Sequence, residues 1–145
     1  MRISTKGRYA LRMLIDLAQH RDEGYIALKD VAQRQDISKK YLEQIVPALS
    51  KSDILQANRG SRGGYKLAKA PDRCSVGEIL RLTEGSLSPV DCLGNNSVGC
   101  ERSTECATLP VWQGLYRVIN EYLDGITLQD ILDQQRERCA DDYVI

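Results

Sequence analysis

The stretch from Asp36 to Leu67 constrains the fold of this chain more than any other. Asp36-Ile37-Ser38 reads as a tight turn, and Ser38 is a good N-cap for a helix over about Lys39–Ser50. On that helix Leu42, Ile45, Val46 and Leu49 share one face, while Lys39, Lys40, Glu43, Gln44 and Ser50 are polar. A shorter helix, about Lys29–Arg34, precedes the turn and follows an extended piece at Tyr25–Leu28. Two helices joined by so short a turn, the second polar along its exposed face, form the helix-turn-helix arrangement.

A hairpin follows. Ile54–Asn58 and Tyr65–Leu67 are strand candidates around Arg59-Gly-Ser-Arg-Gly-Gly64. Directly after a helix-turn-helix, such a hairpin reads as a wing. Glycine lets a backbone approach another surface closely, and arginine suits a narrow, electronegative minor groove. An ordinary hairpin with solvated Arg59 and Arg62 is the plainer alternative. Upstream, Ser4 or Thr5 can cap a first helix running to about His20, with Tyr9, Ala10, Met13, Leu14, Leu17 and Ala18 on one face. Its first turns carry Arg2, Lys6, Arg8 and Arg12, cations set against the positive end of the helix dipole. A nearby anion removes that conflict, and a phosphate is the natural candidate.

Charge sharpens this reading. The formal net charge is zero, with 20 Lys+Arg against 20 Asp+Glu, but the two halves differ. Residues 1–70 hold 14 Lys+Arg and 7 Asp+Glu, and residues 71–145 hold 6 and 13. The basic half is suited to a polyanion. At 145 residues the chain suits one domain, or a small domain with an added helical segment. The expected division is a winged helix-turn-helix DNA-binding unit over 1–70. A cluster-binding loop (about 90–108) and dimerisation helices then occupy 71–145. The fold class is mostly α with a small β-hairpin wing and a long dimerisation helix. The first apolar stretch is short and broken by Arg12 and Asp16, so no membrane segment is expected and the location is cytoplasmic.

In the second half, Ser75-Val-Gly-Glu78 has a capping-box pattern opening a short helix to about Thr83. Pro110 can start a helix ending near Asp124, with Gly125 as its stop. Val111, Trp112, Leu115, Val118, Ile119, Tyr122 and Leu123 give it a broad apolar stripe. Burial against a second copy is the economical use of that stripe, and packing within one chain is the alternative. Thr127 caps a last helix to about Arg138.

Residues 85–109 are rich in Gly, Ser, Asn and Pro, and long enough to need a reason. Cys92, Cys100 and Cys106 fall there with spacing Cys-x7-Cys-x5-Cys, near Asp91, Glu101 and Glu105. Five cysteines without a secretory signal do not suggest a disulfide framework. Three thiolates beside carboxylates call for a cation, and soft sulfur favours zinc or iron–sulfur. The paired short-spaced knuckles of structural zinc are missing from the sequence, so an iron–sulfur cluster fits better. Cys74 and Cys139 stand apart as plain cysteines. With His20 the only histidine and no nucleophile motif or phosphate loop, no enzyme is expected.

Four stretches together resemble the IscR-like branch of the Rrf family of bacterial winged-helix regulators. They are Met1-Arg-Ile-Ser-Thr-Lys-Gly-Arg-Tyr9, Ile37-Ser-Lys-Lys-Tyr-Leu-Glu-Gln44, Arg59-Gly-x-x-Gly-Gly-Tyr65 and Gly125-Ile-Thr-Leu128. The resemblance implies a recognition helix carrying Lys39, Lys40, Glu43 and Gln44 into the major groove. Glu43 would accept from cytosine N4, and Gln44 would pair with adenine. Arg59 would enter the minor groove. Ser38, Tyr41, Arg62, Lys6 and Arg8 would hold phosphates. The helix from Pro110 would form a homodimer through Trp112, Leu115, Val118, Ile119 and Tyr122, on a pseudo-palindromic operator in double-stranded DNA. Cys92, Cys100 and Cys106 match the three cluster ligands, with 2Fe–2S favoured over 4Fe–4S by resemblance. The implied function is repression of iron–sulfur cluster assembly genes according to cluster status. A nitric-oxide-sensing repressor on the same scaffold and a cluster-free regulator of cysteine metabolism are the alternatives. An electron carrier would have no use for the wing, and a zinc-stapled DNA binder is the remaining option.

The chain departs from the IscR-type pattern twice. The gap from Cys92 to Cys100 is two residues longer, and the position of the family's histidine, three residues after the last cysteine, is Leu109. The acidic ligand position of the nitric-oxide sensors is Arg8. The fourth ligand is therefore open between Glu101, Glu105, a partner residue and a small exogenous ligand.

Overall fold

The structure is a computed structural model that describes residues 1–94 and 100–142. Six helices and one two-stranded sheet follow in the order α1 (Thr5–Gln19), α2 (Leu28–Gln35), α3 (Lys39–Ser50), β1 (Leu55–Asn58), β2 (Gly64–Leu67), α4 (Val76–Glu84), α5 (Leu109–Asp124) and α6 (Leu128–Asp141). Short 3₁₀ turns stand at Arg21–Glu23, Pro71–Arg73 and Asp91–Leu93.

Local chemistry accounts for most boundaries. The Oγ of Ser4, not Thr5, caps α1 by accepting from the Gly7 N–H, and Ser38 Oγ accepts from the Tyr41 N–H at 3.0 Å. Ser75 caps α4 through the Glu78 N–H at 3.1 Å. A complete capping box opens α6, with Thr127 and Asp130 exchanging bonds of 2.9 and 3.1 Å. The α2–α3 turn is made by Asp36 in the left-handed region (φ 53°), which aspartate tolerates better than most residues. Helix α2 begins at Leu28, so the extended piece ends before it: Ile26 alone bridges to Tyr65. Helix α6 runs three residues past Arg138, to Asp141.

The sheet is an antiparallel hairpin in the register Leu55↔Leu67, Gln56↔Lys66, Ala57↔Tyr65 and Asn58↔Gly64. The Ile26 N–H donates to the Tyr65 carbonyl at 2.9 Å and the Tyr65 N–H returns to Ile26 at 2.8 Å, anchoring the hairpin base to the approach of α2. Gly64 is required there, since a Cβ would collide with the Ile26 carbonyl.

The main core lies under α1. Met13, Leu14 and Leu17 meet Val31 of α2, Leu42, Ile45 and Leu49 of α3, Leu55 and Leu67 of the hairpin, Ile79 of α4, and Leu128 and Leu132 of α6. The boundary at residue 70 is thus a boundary of charge, and the core crosses it. A second cluster gathers Val76, Leu80 and Leu87, with Tyr116, Ile119 and Leu123 of α5 against it. Arg81 ties α4 to α5, donating to Asn120 Oδ1 at 2.7 Å and to Asp124 Oδ2 at 2.9 Å. No residue of α5 is fully buried. No helix among the described residues is long and apolar enough to cross a membrane.

Candidate nucleic-acid interface and cysteine segment

On α3, Lys39, Lys40, Glu43 and Gln44 are all exposed, and so are Ser38, Arg59, Arg62 and Arg8; Tyr41 and Lys6 are half-buried. Lys39 and Glu43 pair across one helical turn at 3.7 Å, both well solvated. Tyr41 is half-buried because its ring meets the Tyr9 ring edge-on, centroids 5.5 Å apart. That contact joins the second turn of α1 to the first turn of α3. The Arg12 guanidinium lies over the Tyr9 ring, 5.2 Å from its centroid, and donates to the Gln35 carbonyl at the end of α2. In the sequence Tyr9 stands on the apolar face of α1 and Arg12 among its cations; their i, i+3 spacing is the only local signal of this pairing, and the partner Tyr41 leaves none.

The hairpin tip is built for close approach. Gly60 has φ +115°, a backbone state L side chains rarely adopt, and the Gly63 N–H closes the turn onto the Gly60 carbonyl at 2.9 Å. Ser61, Arg62 and Gly63 line a shallow cleft shared with Tyr25, Lys29 and Arg34. Lys66 on β2 lies 4.6 Å from the Tyr25 ring centroid.

The helix-turn-helix is locked from inside. Asp16 is 1% exposed, and its carboxylate accepts from Arg34 at 2.6 and 3.0 Å and from Gln35 Nε2 at 3.0 Å. The same hydrogen bonds, chiefly, hold the Arg34 guanidinium above its ordinary value despite the cost of burial. His20, at the end of α1, donates from Nδ1 to the Asp16 carbonyl at 2.9 Å, a structural placement.

The N-terminus of α1 meets a carboxylate of the chain itself. Glu84, the last residue of α4, accepts through Oε1 from the Ser4 N–H at 3.0 Å, the Ser4 hydroxyl at 2.5 Å and the Gly7 N–H at 3.1 Å. Sequence reading could not find it, since partners 77 and 80 residues apart leave no local signature.

The three loop cysteines are free thiols. Cys92 is half-buried in the 3₁₀ turn Asp91–Leu93, Cys100 is exposed, and Cys106 is half-buried just ahead of α5. The Thr108 hydroxyl, 3.4 Å from Cys106 Sγ, together with the backbone N–H groups of Thr108 and Leu109, draws the thiol below its ordinary value, towards thiolate. Accessible thiols with one leaning to thiolate fit, in donor chemistry, a thiolate-bound metal centre. Among the described residues no three His, Cys, Asp or Glu side chains stand together as a metal site. Residues 95–99, including Asn95, Asn96 and Gly99, lie between Cys92 and Cys100, outside the described residues. Glu101 and Glu105 are exposed, and Leu109 is the first residue of α5. Cys74 is wholly buried and Cys139 exposed.

Of the five stripe residues expected at a dimer interface, Trp112, Leu115, Val118 and Tyr122 are solvent-exposed at 36–67%. Ile119 is half-buried against Val76, Leu80 and Leu87 of its own chain.

A helix-turn-helix flanked by a glycine-tipped hairpin, with a cysteine segment appended, defines the class of winged-helix transcription regulators. The family model for Rrf2, "Iron-dependent Transcriptional regulator", matches residues 3–134, and the chain belongs to that family. It is similar to the HTH-type transcriptional regulator IscR of Aliivibrio salmonicida, 36% identical over 97% of this chain and 83% of the relative. It is also similar to the HTH-type transcriptional regulator CymR of Bacillus subtilis, 39% identical over 90% of this chain and 89% of the relative. Among solved structures, T. potens IscR superposes with a TM-score of 0.75 at 38% identity, covering 95% of this chain and 90% of that one. Bacillus subtilis CymR, the global cysteine regulator, superposes with a TM-score of 0.74 at 36% identity, covering 92% and 98%. The chain is accordingly a transcription regulator and not an enzyme.

Proposed function

We propose that this regulator works in the cytoplasm as a homodimer on a pseudo-palindromic DNA operator, repressing iron–sulfur cluster assembly genes according to cluster status. In this reading α3 enters the major groove. Glu43 must leave Lys39 to accept from cytosine, and Gln44 addresses adenine. Lys39 and Lys40 enter the major groove on the same helix, Arg59 enters the minor groove, and Lys6, Arg8, Ser38, Tyr41 and Arg62 fix register on phosphates. The exposed α5 stripe buries against its counterpart. Cys92, Cys100 and Cys106 would hold the cluster, with 2Fe–2S favoured by resemblance. When bound, the cluster supplies iron–thiolate bonds that tie the three positions to one body.

The observation that carries the sensing reading is the segment between α4 and α5, which gathers three free thiols, Cys92, Cys100 and Cys106, none of them buried. Anaerobic purification with iron, sulfide and zinc analysis beside a visible spectrum tests it. Iron and sulfide at about one cluster per chain are expected, with thiolate-to-iron bands that Cys100→Ala abolishes. Colourless, iron-free protein after anaerobic reconstitution would sink the cluster and leave the DNA-binding reading standing. A second reading, a cluster-free regulator of cysteine metabolism, is favoured by the similarity to the global cysteine regulator of Bacillus subtilis.

A further inference from the structure

We propose that Glu84 is a positioning residue that transmits the state of the cysteine segment to the DNA-facing end of the fold. The inference rests on the sensing reading above and adds the residue that couples it to DNA. Glu84 ends α4, and the next residue, Gly85 (φ +80°), begins the stretch that carries Cys92, Cys100 and Cys106. One carboxylate oxygen of Glu84 gathers three donors, two from the Ser4 N-cap and one from Gly7 in the first turn of α1, at 2.5–3.1 Å.

The turn it holds is short of negative charge. It contains no acidic residue of its own and carries Lys6 and Arg8, and among the described residues the carboxylate bonded to this helix end is that of Glu84. The fit is close. Gly7 is buried, and a Cβ on it would collide with the Glu84 carboxylate and press on Leu80 of α4 at 3.1 Å. A three-donor grip on one oxygen is sensitive to small movements, because hydrogen bonds weaken steeply with distance and angle. Any shift of the last turn of α4 is therefore felt at Ser4 and Gly7. From there Tyr9, two residues on, meets Tyr41 beside the Ser38 cap of α3, and Arg12 fixes Tyr9 against the end of α2. The chain itself joins the segment to Glu84 at Gly85, and contacts join the carboxylate to α1 and α1 to the recognition helix; such a path couples two sites when both bias its arrangement.

The test compares wild type with Glu84→Ala, Glu84→Gln and Gly7→Ala. Each is prepared with and without cluster, on a duplex that wild type selects from a random-sequence pool. Wild type should show a loaded-to-unloaded affinity ratio well away from one, within the usual range of about 5- to 150-fold. Glu84→Ala and Gly7→Ala should bring that ratio to within about twofold of one, with wild-type iron and sulfide content. Glu84→Gln, which keeps the acceptor oxygen and loses the charge, should fall between. Coupling is reciprocal. DNA should change the visible circular dichroism of the loaded wild type and leave that of loaded Glu84→Ala unchanged, a difference that general loosening of the fold would not produce. A wild-type ratio away from one that Glu84→Ala preserves overturns the proposal alone. A wild-type ratio of one overturns the sensing reading with it. Should the alanine variants fail to fold, an unchanged ratio in Glu84→Gln overturns the proposal.

Discussion

Arg59 is exposed at the edge of a hairpin tip whose glycines let the backbone come close to a partner. It makes no contact on which the core depends. Replacing it with alanine should weaken operator binding roughly tenfold, about 1–2 kcal/mol, and leave the melting temperature unchanged. Equal affinity in a titration would refute the wing assignment. Cys74 belongs to the opposite environment. Burial pushes its thiol up to about 11, so between the ordinary thiol range and pH 11 the folded chain keeps a proton that the unfolded chain releases. Its contribution to stability is complete at neutral pH and is lost as pH rises through about 11. Urea unfolding at pH 8 and pH 10 should show a steeper decline for wild type than for Cys74→Ala; equal declines would contradict the burial effect. Single residues with local partners, such as Ser38 as a cap, were legible in the sequence. Asp16 and Glu84 were not. An aspartate inside an apolar stripe and a glutamate at a helix end acquire their meaning from Arg34, Ser4 and Gly7, which only the fold brings near.

At the scale of elements, the 3.6-residue pattern and the caps located every helix to within a few residues, and the hairpin followed from its glycines. What periodicity could not divide was the α5 stripe. One part, Tyr116, Ile119 and Leu123, serves the second core of its own chain; the other, Trp112, Leu115, Val118 and Tyr122, faces outwards. A helix stripe wider than one contact face reads the same whether it meets one neighbour or two. The division makes a clean experiment. Leu115→Glu changes a residue that the single chain leaves 42% exposed, so the monomer fold should survive. In the proposed homodimer an unpaired carboxylate in the α5 seam costs several kcal/mol, which raises the Kd of such a dimer by about a hundredfold or more. Sedimentation should find a monomer with native far-ultraviolet circular dichroism. A variant that sediments as a dimer would remove α5 from the interface.

For the molecule as a whole, the acidic and basic halves are separable by charge, as the sequence suggested, yet α6 returns to α1 and seals its inner face with Leu128 and Leu132. Charge is a property of side-chain type and can be read along the chain. Core membership depends on where a helix docks, which a pattern of apolar residues does not specify. The return of α6 also sets a limit on modularity. A fragment ending at residue 70 loses Ile79, Leu128 and Leu132 together, and Met13, Leu14 and Leu17 lose part of their cover. Such a fragment should behave as a loosely packed species that binds a hydrophobic dye. The same geometry makes a cut after residue 70 a loss of core and not the release of a module, so the basic half should not outlast the closing helix once the chain is cleaved.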